Sequence, residues 1–510
     1  MKILFFLIAL FAMLNVEAQS PGIDWQQSLG GSSTDNAFCV RQTSDGGYII
    51  AGSSNSTDGD VSGNHGGADY WIVKLSSAGS IEWQQSLGGS NFDYAYSIVE
   101  TASGQYIVAG YTASSNGDVT GFHGGNDYWI VKLSASGAII WQKCFGGAFY
   151  EGTQSFQQTT DGGFIVAGGS NSSDGDVTAN YGNADYWVIK LDTAGSIVWQ
   201  KNFGGSDYDG AYSVQQTSDG GYILAGNSSS TDGDITVNQG INDVWIIKLN
   251  SSGSLLWQKS FGGSADDYAY SIKQTSDGGY IVAGNSNSTD GDITASHGND
   301  DAWMIRLNAS GNLIWQKCFG GSQNDYAYSV SQTNDGGYIV AGYTESTDGD
   351  VSGNHGFSDY WIIKMDTAGS LVWQKCLGGS TSDEARSVEQ TSDGGYIVAG
   401  SAYSSDGDAT INHGSRDVWI VKLLPDPIGF DDSGTAKILI YPNPAVDEIF
   451  IETSSEQQQL LSVINSQGQL LKQTEFSGSK ISVDVSHLCA GVYFIRIQSN
   501  SAVRTLKFLK

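Results

Sequence analysis

Tryptophan recurs along this chain on a strict interval. Trp25, Trp83, Trp141, Trp199, Trp257, Trp315 and Trp373 stand 58 residues apart, and Trp71, Trp129, Trp187, Trp245, Trp303, Trp361 and Trp419 keep the same spacing. The two series account for all 14 tryptophans. A period in this range demands a repeat architecture, in which one unit cannot bury its apolar surface alone and stacks on its neighbours.

Within the unit 257–314, four strands are predicted. Tyr268–Thr275 runs through Ser276-Asp277-Gly278-Gly279 into Tyr280–Asn285. The Asp-Gly-Gly run supplies the positive φ angles that a tight hairpin needs. A loop of about 15 residues, rich in Gly, Asp, Asn and Ser, leads to Ala302–Leu307, and a short turn then leads to Leu313–Phe319. No window carries the 3.6-residue apolar period of a helix. In the third strand Trp303 and Ile305 share one face and Met304 and Arg306 the other, so both faces of the sheet are covered. Four short strands per unit, stacked between neighbours, fit a propeller blade. A β-solenoid would repeat at shorter intervals. The expected fold is all-β, a seven-bladed β-propeller.

The first and last units are fragments that complete each other. Ile23–Leu29 reads as a fourth strand without its first three, and 385–423 supplies three strands without a fourth. Pairing the two closes the ring and removes its open edges.

Outside the repeats, residues 1–18 read as a signal peptide: Lys2, an apolar run from Ile3 to Val16, and small residues before a cut between Ala18 and Gln19. No later stretch is long and apolar enough for a membrane span. The propeller then occupies 19–424, a linker 425–436, and a separate β-sandwich 437–510.

The unit pattern GGSxxDxAxSIxQTxDGGYIVAGxSxSxDGD followed by DYWIVKLxxxGxIxWQ resembles the seven-bladed propeller repeats of secreted bacterial proteins. That resemblance implies architecture and no single activity. The tail carries Tyr441-Pro442-Asn443-Pro444, then Gly491-Val492-Tyr493, and ends on Lys507 and Lys510. It resembles the C-terminal sorting domain of the type IX secretion system of Bacteroidota; an ordinary immunoglobulin-like module is the alternative. The resemblance implies engagement of that secretion machinery and delivery to the medium or the outer-membrane surface.

The chain holds 24 Lys and Arg against 54 Asp and Glu, a net charge of −30. Such acidity argues against nucleic acid and anionic membranes as partners. Cys144, Cys318 and Cys376 occupy one slot on different blades, too far apart to bridge, and Cys39 and Cys489 stand alone. No disulfide and no cysteine metal site are expected.

Chemistry concentrates in the long loop. Six units place two aspartates around a glycine: Asp58 and Asp60, Asp174 and Asp176, Asp232 and Asp234, Asp290 and Asp292, Asp348 and Asp350, Asp406 and Asp408. The second unit reads Asn116-Gly117-Asp118. Oxygen ligands at this spacing suit calcium, although the closing Glu of an EF-hand is missing. Asx-turns explain the same residues without an ion and are the preferred reading. His65, His123, His297, His355 and His413 sit in the same loop, with Tyr181 and Gln239 in two units, and are expected to pack their own loops. Enzyme signatures such as HExxH or GxSxG are absent. Glu151, in the unit that departs most, is the one catalytic carboxylate worth testing. The function expected is a monomeric binding or adhesion scaffold for glycan, protein or cation ligands. A polysaccharide-active hydrolase with an acidic site on one face is the alternative.

Overall fold

The computed structural model describes residues 20–426 and, towards the C-terminus, 439–441, 445, 447–453, 459–465, 469–489, 491–498 and 503–510. The signal peptide with Ala18 and Gln19, residues 427–436 of the linker, and Pro442, Asn443 and Pro444 lie outside them. The chain divides into two compact units, Met1–Pro425 and Asp426–Lys510.

Among the described residues, the first unit is built of seven four-stranded antiparallel sheets and no helix. Blade 5 is typical: Asp267–Gln274, Tyr280–Ser286, Asp301–Leu307 and Leu313–Phe319, each paired with the next. These strands begin and end within a residue or two of the sequence expectation. Blades 1 to 6 span 35–87, 93–145, 151–203, 209–261, 267–319 and 325–377. Blade 7 takes Asp383–Gln390, Tyr396–Ala402 and Asp417–Leu423 from one end of the chain and Ile23–Leu29 from the other. That fourth strand runs antiparallel to the third, with Leu29 opposite Val418 and Trp25 opposite Lys422.

First strands contact one another round the ring, and the first strand of blade 7 meets that of blade 1. They form the innermost layer, and the fourth strands are outermost. The core lies between blades. Ile49, Ala51 and Ile72 of blade 1 pack with Ile98, Val108 and Val131 of blade 2, and the ring closes as Ile397, Ala399 and Ile420 of blade 7 meet Val40, Ile50 and Val73 of blade 1. Blade 5 shows the two-faced strand directly: Trp303, Ile305 and Leu307 face blade 4, while Ala302 and Met304 face blade 6.

Both tryptophan series serve these interfaces. The third-strand Trp71 is buried and donates from Nε1 to Gln84 Oε1 at 2.9 Å. Tyr70 beside it reaches into blade 2 and donates to the Trp129 carbonyl at 2.9 Å, its ring 4.5 Å from the indole. The fourth-strand Trp83 stands edge-on to Tyr106 of blade 2, with centroids 5.7 Å apart. An aromatic pair of this geometry is worth about 0.5–1.5 kcal/mol beyond its buried area. In every blade but the second, the third-strand cation is buried and paired with the first hairpin, as in Lys74 Nζ to Asp45 Oδ2 at 2.9 Å and Lys248 Nζ to Asp219 Oδ2 at 2.9 Å.

Each crossing from blade to blade is a Gly-Gly turn clamped between two buried carboxylates, both aspartates except between blades 2 and 3, where Glu151 faces Asp127. Between blades 4 and 5, a Cβ on Gly262 would meet Asp243 Oδ1 at 2.6 Å and Asp267 Oδ2 at 2.7 Å, so only glycine fits. Asp267 accepts from Gly263 N at 2.8 Å, from Ser288 Oγ at 2.9 Å and from Ser286 Oγ. Its partner at the start of the third strand is less well served. Among the described residues Oδ1 of Asp69, Asp127, Asp185, Asp243, Asp301, Asp359 and Asp417 is buried without a hydrogen bond.

Burial accordingly raises the pKa of this set, with Asp127, Asp185, Asp243 and Asp359 pushed up to about 6. A carboxyl group raised in the folded state binds its proton more tightly there than in the unfolded chain. Its stabilising contribution is complete below the ordinary value near 3.8 and is lost as the pH rises through about 6. The hairpin aspartates act the other way. Hydrogen bonds from Thr43 and Thr275, with Lys74 and Arg306, hold Asp45 and Asp277 at about 2, so their share disappears only as the pH falls towards 2.

The C-terminal unit is a two-sheet sandwich. Leu439–Tyr441, Glu448–Glu452 and Lys480–Asp484 form one sheet. Gln459–Asn465, Leu470–Phe476, Val492–Gln498 and Val503–Leu509 form the other. Ile449, Ile451, Leu461, Val463, Ile495 and Ile497 fill the space between.

Two outcomes are expected. The melting temperature should be higher at pH 5 than at pH 8 at matched ionic strength, and the reverse order would contradict the titration of the buried aspartates. Deleting residues 20–31 removes the strand opposite Val418–Leu423 and the first Gly-Gly turn. The truncated chain should aggregate or melt at least about 10 °C lower in a thermal scan.

Candidate functional site

The Asp-Gly-Asp loops turn out to hold backbone. After the fourth strand of blade 4, four successive N–H groups point into the loop of blade 5. Gly262 N donates to Asp292 Oδ2 at 3.2 Å, Gly263 N to Asp267, Ser264 N to Asp290 Oδ1 at 2.7 Å and Ala265 N to Ser288 Oγ at 3.0 Å. A run of converging amides is an anion nest, and here the protein fills it with its own carboxylates. Asp58 and Asp60 accept from Ser32 N and Gly30 N, and Asp174 and Asp176 from Ala148 N and Gly146 N. Asp232 and Asp234 serve Ser206 N and Gly204 N, Asp348 and Asp350 serve Ser322 N and Gly320 N, and Asp406 and Asp408 serve Ser380 N and Gly378 N. In blade 2 the Asn116 amide oxygen accepts from Ser90 N at 2.9 Å, so a neutral acceptor does the same work. Among the described residues no group of three His, Cys, Asp or Glu side chains is placed to share a metal ion.

The histidines belong to the same loops. His65 Nδ1 lies 2.6 Å from Asp69 Oδ2, and His123, His297, His355 and His413 address the equivalent aspartates. Tyr181 and Gln239 keep only the backbone bond to Asp185 and Asp243, at 2.6 and 2.7 Å. Glu151 occupies the register position of Asp267, is fully buried, and accepts from Gly147 N at 2.7 Å and Ser170 Oγ at 2.7 Å, so that it clamps a turn. The five thiols are free, four of them buried and Cys489 exposed. Burial pushes Cys318 up to about 12, which leaves it unreactive.

Where the units differ most is the axis, at positions the periodic pattern reads as variable. The fourth residue of the first strand points towards the ring centre, and is Phe38, Tyr96, Gln154, Tyr212, Tyr270, Tyr328 or Arg386 from blade 1 to blade 7. These side chains meet across blade boundaries. Phe38 and Tyr96 rings lie 4.6 Å apart, Tyr212 and Tyr270 5.6 Å, and Tyr270 and Tyr328 4.8 Å. The Arg386 guanidinium sits 3.9 Å above the Tyr328 ring. A second tier at the same face adds Tyr94, Tyr111, Tyr326 and Tyr343, with Tyr94 to Tyr111 at 5.3 Å and Tyr326 to Tyr343 at 4.8 Å. Blade 3 departs from the pattern, with Gly152 and Gly169 at the second-tier positions, the Tyr150 side chain laid over Gly152, its ring 6.2 Å from that of Tyr111, and an exposed Gln154.

Polar groups rim this aromatic mouth. Glu384 is bridged by Arg386 at 2.7 Å and Arg416 at 2.8 Å. Burial works to raise its pKa, but Arg416 and Arg386 outweigh it and hold the carboxyl below its usual range. Tyr326 Oη donates to Asp300 at 2.9 Å, and Asn242 Nδ2 to Asp266 at 2.6 Å. The mouth opens on the face that also carries the 15-residue loops. A separate concavity of about 490 Å³ lies between blades 1 and 2, lined in part by His65, Gln84, Asp118 and Ile139.

The nest geometry sets an expectation for the loop aspartates. Asp290→Asn keeps the acceptor and should change stability by less than about 0.5 kcal/mol, whereas Asp290→Ala orphans Ser264 N and should cost about 1–2 kcal/mol. Denaturant melts of the two variants, in calcium and in chelator, check this. A calcium-dependent shift in the parent that Asp290→Asn abolishes would instead make the loop an ion site.

In the tail, Tyr441 ends the strand Leu439–Tyr441, Lys507 lies in Val503–Leu509, and Gly491 exchanges backbone hydrogen bonds with Lys510 at 2.9 and 3.0 Å. Residues 439–510 match the secretion system C-terminal sorting domain family. Elsewhere, a stretch of 136 residues is 29% identical to the regulatory protein FlaEY of Caulobacter vibrioides, covering 24% of this chain and 14% of that protein. Solved structures with some likeness include PorZ, a bacterial surface component of the type-IX secretion system of Porphyromonas gingivalis. It is 13% identical, with 91% of this chain and 64% of that chain covered and a TM-score of 0.30. Another is puromycin hydrolase, 11% identical over 86% of this chain and 62% of that chain, with a TM-score of 0.44. These likenesses are too distant to carry activity. Among the described residues no helix is long and apolar enough to cross a membrane. The chain is thus a seven-bladed β-propeller joined to a type IX secretion system C-terminal sorting domain.

Proposed function

We propose that this exported protein binds carbohydrate at the cell surface, and that the axial mouth is its combining site. The observation that supports this reading is the set of Phe38, Tyr96, Tyr212, Tyr270 and Tyr328, half-buried side chains that pack at tilted to edge-on angles yet leave ring surface to solvent. A sugar ring presents a C–H face to stack on such surfaces and a rim of hydroxyls for polar groups. Tyrosine suits both, being flat, apolar and capped by a hydroxyl at small entropic cost. Arg386, Arg416, Glu384, Asp300 and Asn242 supply fixed donors and acceptors round the platform.

Binding is favoured over hydrolysis by the state of Glu384. A glycosidase needs one carboxyl held protonated as general acid, and the two arginines hold Glu384 ionised. Its place between them suits a hydrogen-bond acceptor for sugar hydroxyls. The sorting domain accounts for how the propeller reaches the outside of the cell, and the loops and mouth then face the surroundings as a surface receptor or adhesin.

A glycan array probed with the chain freed of its leader should return a restricted set of oligosaccharides. Tyr270→Ala combined with Tyr328→Ala should weaken binding at least about tenfold, the loss of two aromatic platforms, while moving the melting temperature by only a few degrees. No binding to any glycan, or binding indifferent to both substitutions, would overturn the proposal.

A further inference from the structure

Below the aromatic tiers, the seventh residue of each first strand also faces the axis. Going round the ring this level holds Arg41 on blade 1, the partly buried Val99 on blade 2, Gln157 and Gln215 on blades 3 and 4, Lys273 on blade 5, Ser331 on blade 6 and Glu389 on blade 7. We infer that this level is a binding site for one small inorganic oxyanion, held between Arg41 and Lys273 in the axial channel.

The two cations stand three blades apart, so their long side chains enter the same space from opposing walls. One carboxylate answers them. Glu389 Oε2 lies 4.0 Å from Arg41 Nη1 and is already shared with the Gln42 amide at 3.1 Å. Lys273 makes no hydrogen bond or ion pair among the described residues, although the ring encloses it. Gln157 and Gln215 turn their oxygens away to accept from Gln216 N at 2.5 Å and Gln274 N at 2.6 Å. Their amide NH₂ groups are therefore the atoms left without a partner. The level presents a guanidinium, an ammonium and two free amide donors, with one acceptor already in use.

Lys273 is pushed down to about 8, first by enclosure and then by the charge of Arg41. A second cation in a confined channel is costly unless an anion sits between the two. The net charge of −30 does not forbid one. Surface carboxylates more than a Debye length away, about 8 Å at physiological salt, are largely screened, whereas groups enclosed with the ion are not. A tetrahedral oxyanion can accept from all four donors at once, as a bidentate partner of the guanidinium and a monodentate partner of the rest.

Sulfate is the probe. In titration calorimetry of the whole exported chain, with sodium gluconate holding ionic strength constant, sulfate should bind saturably at one site per chain. Lys273→Gln and Arg41→Gln should each weaken it at least about tenfold, the loss of a charged hydrogen bond. Glu389→Gln keeps the acceptor for Gln42 N and removes the opposing charge, so it should tighten binding. Heats that do not saturate, or a sulfate response equal in the parent and in Lys273→Gln, would overturn the proposal. So would Glu389→Gln and Lys273→Gln shifting the affinity in the same direction.

Discussion

Every blade buries both of its faces, and this one constraint governs the molecule. A four-stranded sheet with Trp303 and Ile305 on one side and Met304 on the other has no solvent face to offer. It is stable only between two others, and the last of seven must meet the first. The chain therefore cannot stop at a blade boundary. By placing Ile23–Leu29 beside Asp417–Leu423 it makes backbone pairing, and not side-chain contact alone, the closure of the ring. Seven apolar interfaces then become mutually dependent, as expected of a cooperative closed array rather than an open stack.

The same constraint explains why the units are so alike. Each loop of blade 5 is also part of the joint with blade 4: Asp292, Asp290 and Ser288 hold the turn that leaves the preceding blade. A change in one unit is a change at an interface, where its cost is an unpaired buried amide or carboxylate. Where an acceptor at a blade crossing has been replaced, its substitute preserves the bond. Asn116 replaces an aspartate and still accepts from Ser90 N, and Glu151 replaces another and still accepts from Gly147 N. Repetition in this chain is the signature of joints.

This decides what the bare sequence could reveal. The period, the alternation in AWMIRL and the Gly-Gly turns are local signals of burial and backbone, and they lead to blades, strand limits and closure within a residue or two. The Asp-Gly-Asp loops were ambiguous because an acceptor for backbone amides and a ligand for calcium are the same atom. The structure adds what the sequence hides, that the amides of Gly262–Ala265, about 26 residues earlier, reach these acceptors. Glu151 stands out as an odd residue in a regular pattern, yet its position is fully buried. The aromatic mouth was missed for a geometric reason. Tyr96, Tyr212, Tyr270 and Tyr328 are separated by 58 residues or multiples of it and converge only because seven first strands share one axis. Aligning the fourth residue of each first strand, and asking which column is aromatic without being core, would have found it.

That column is also where the case for a ligand is strongest on physical grounds. Residues facing the axis touch no interblade core, so packing places few demands on them, and a channel wall left to itself would be as polar as the loops around it. Glutamine at position 154 shows that a polar residue is compatible with the site. Five of the seven positions nevertheless carry aromatic rings, partly exposed and in contact across blade boundaries. Hydrating those faces costs free energy at roughly 25 cal/mol per Å² of apolar surface, and nothing in the ring's own stability requires it. A partly exposed aromatic surface framed by charged groups suits contact with a partner, and on this molecule it lies where the seven first strands converge.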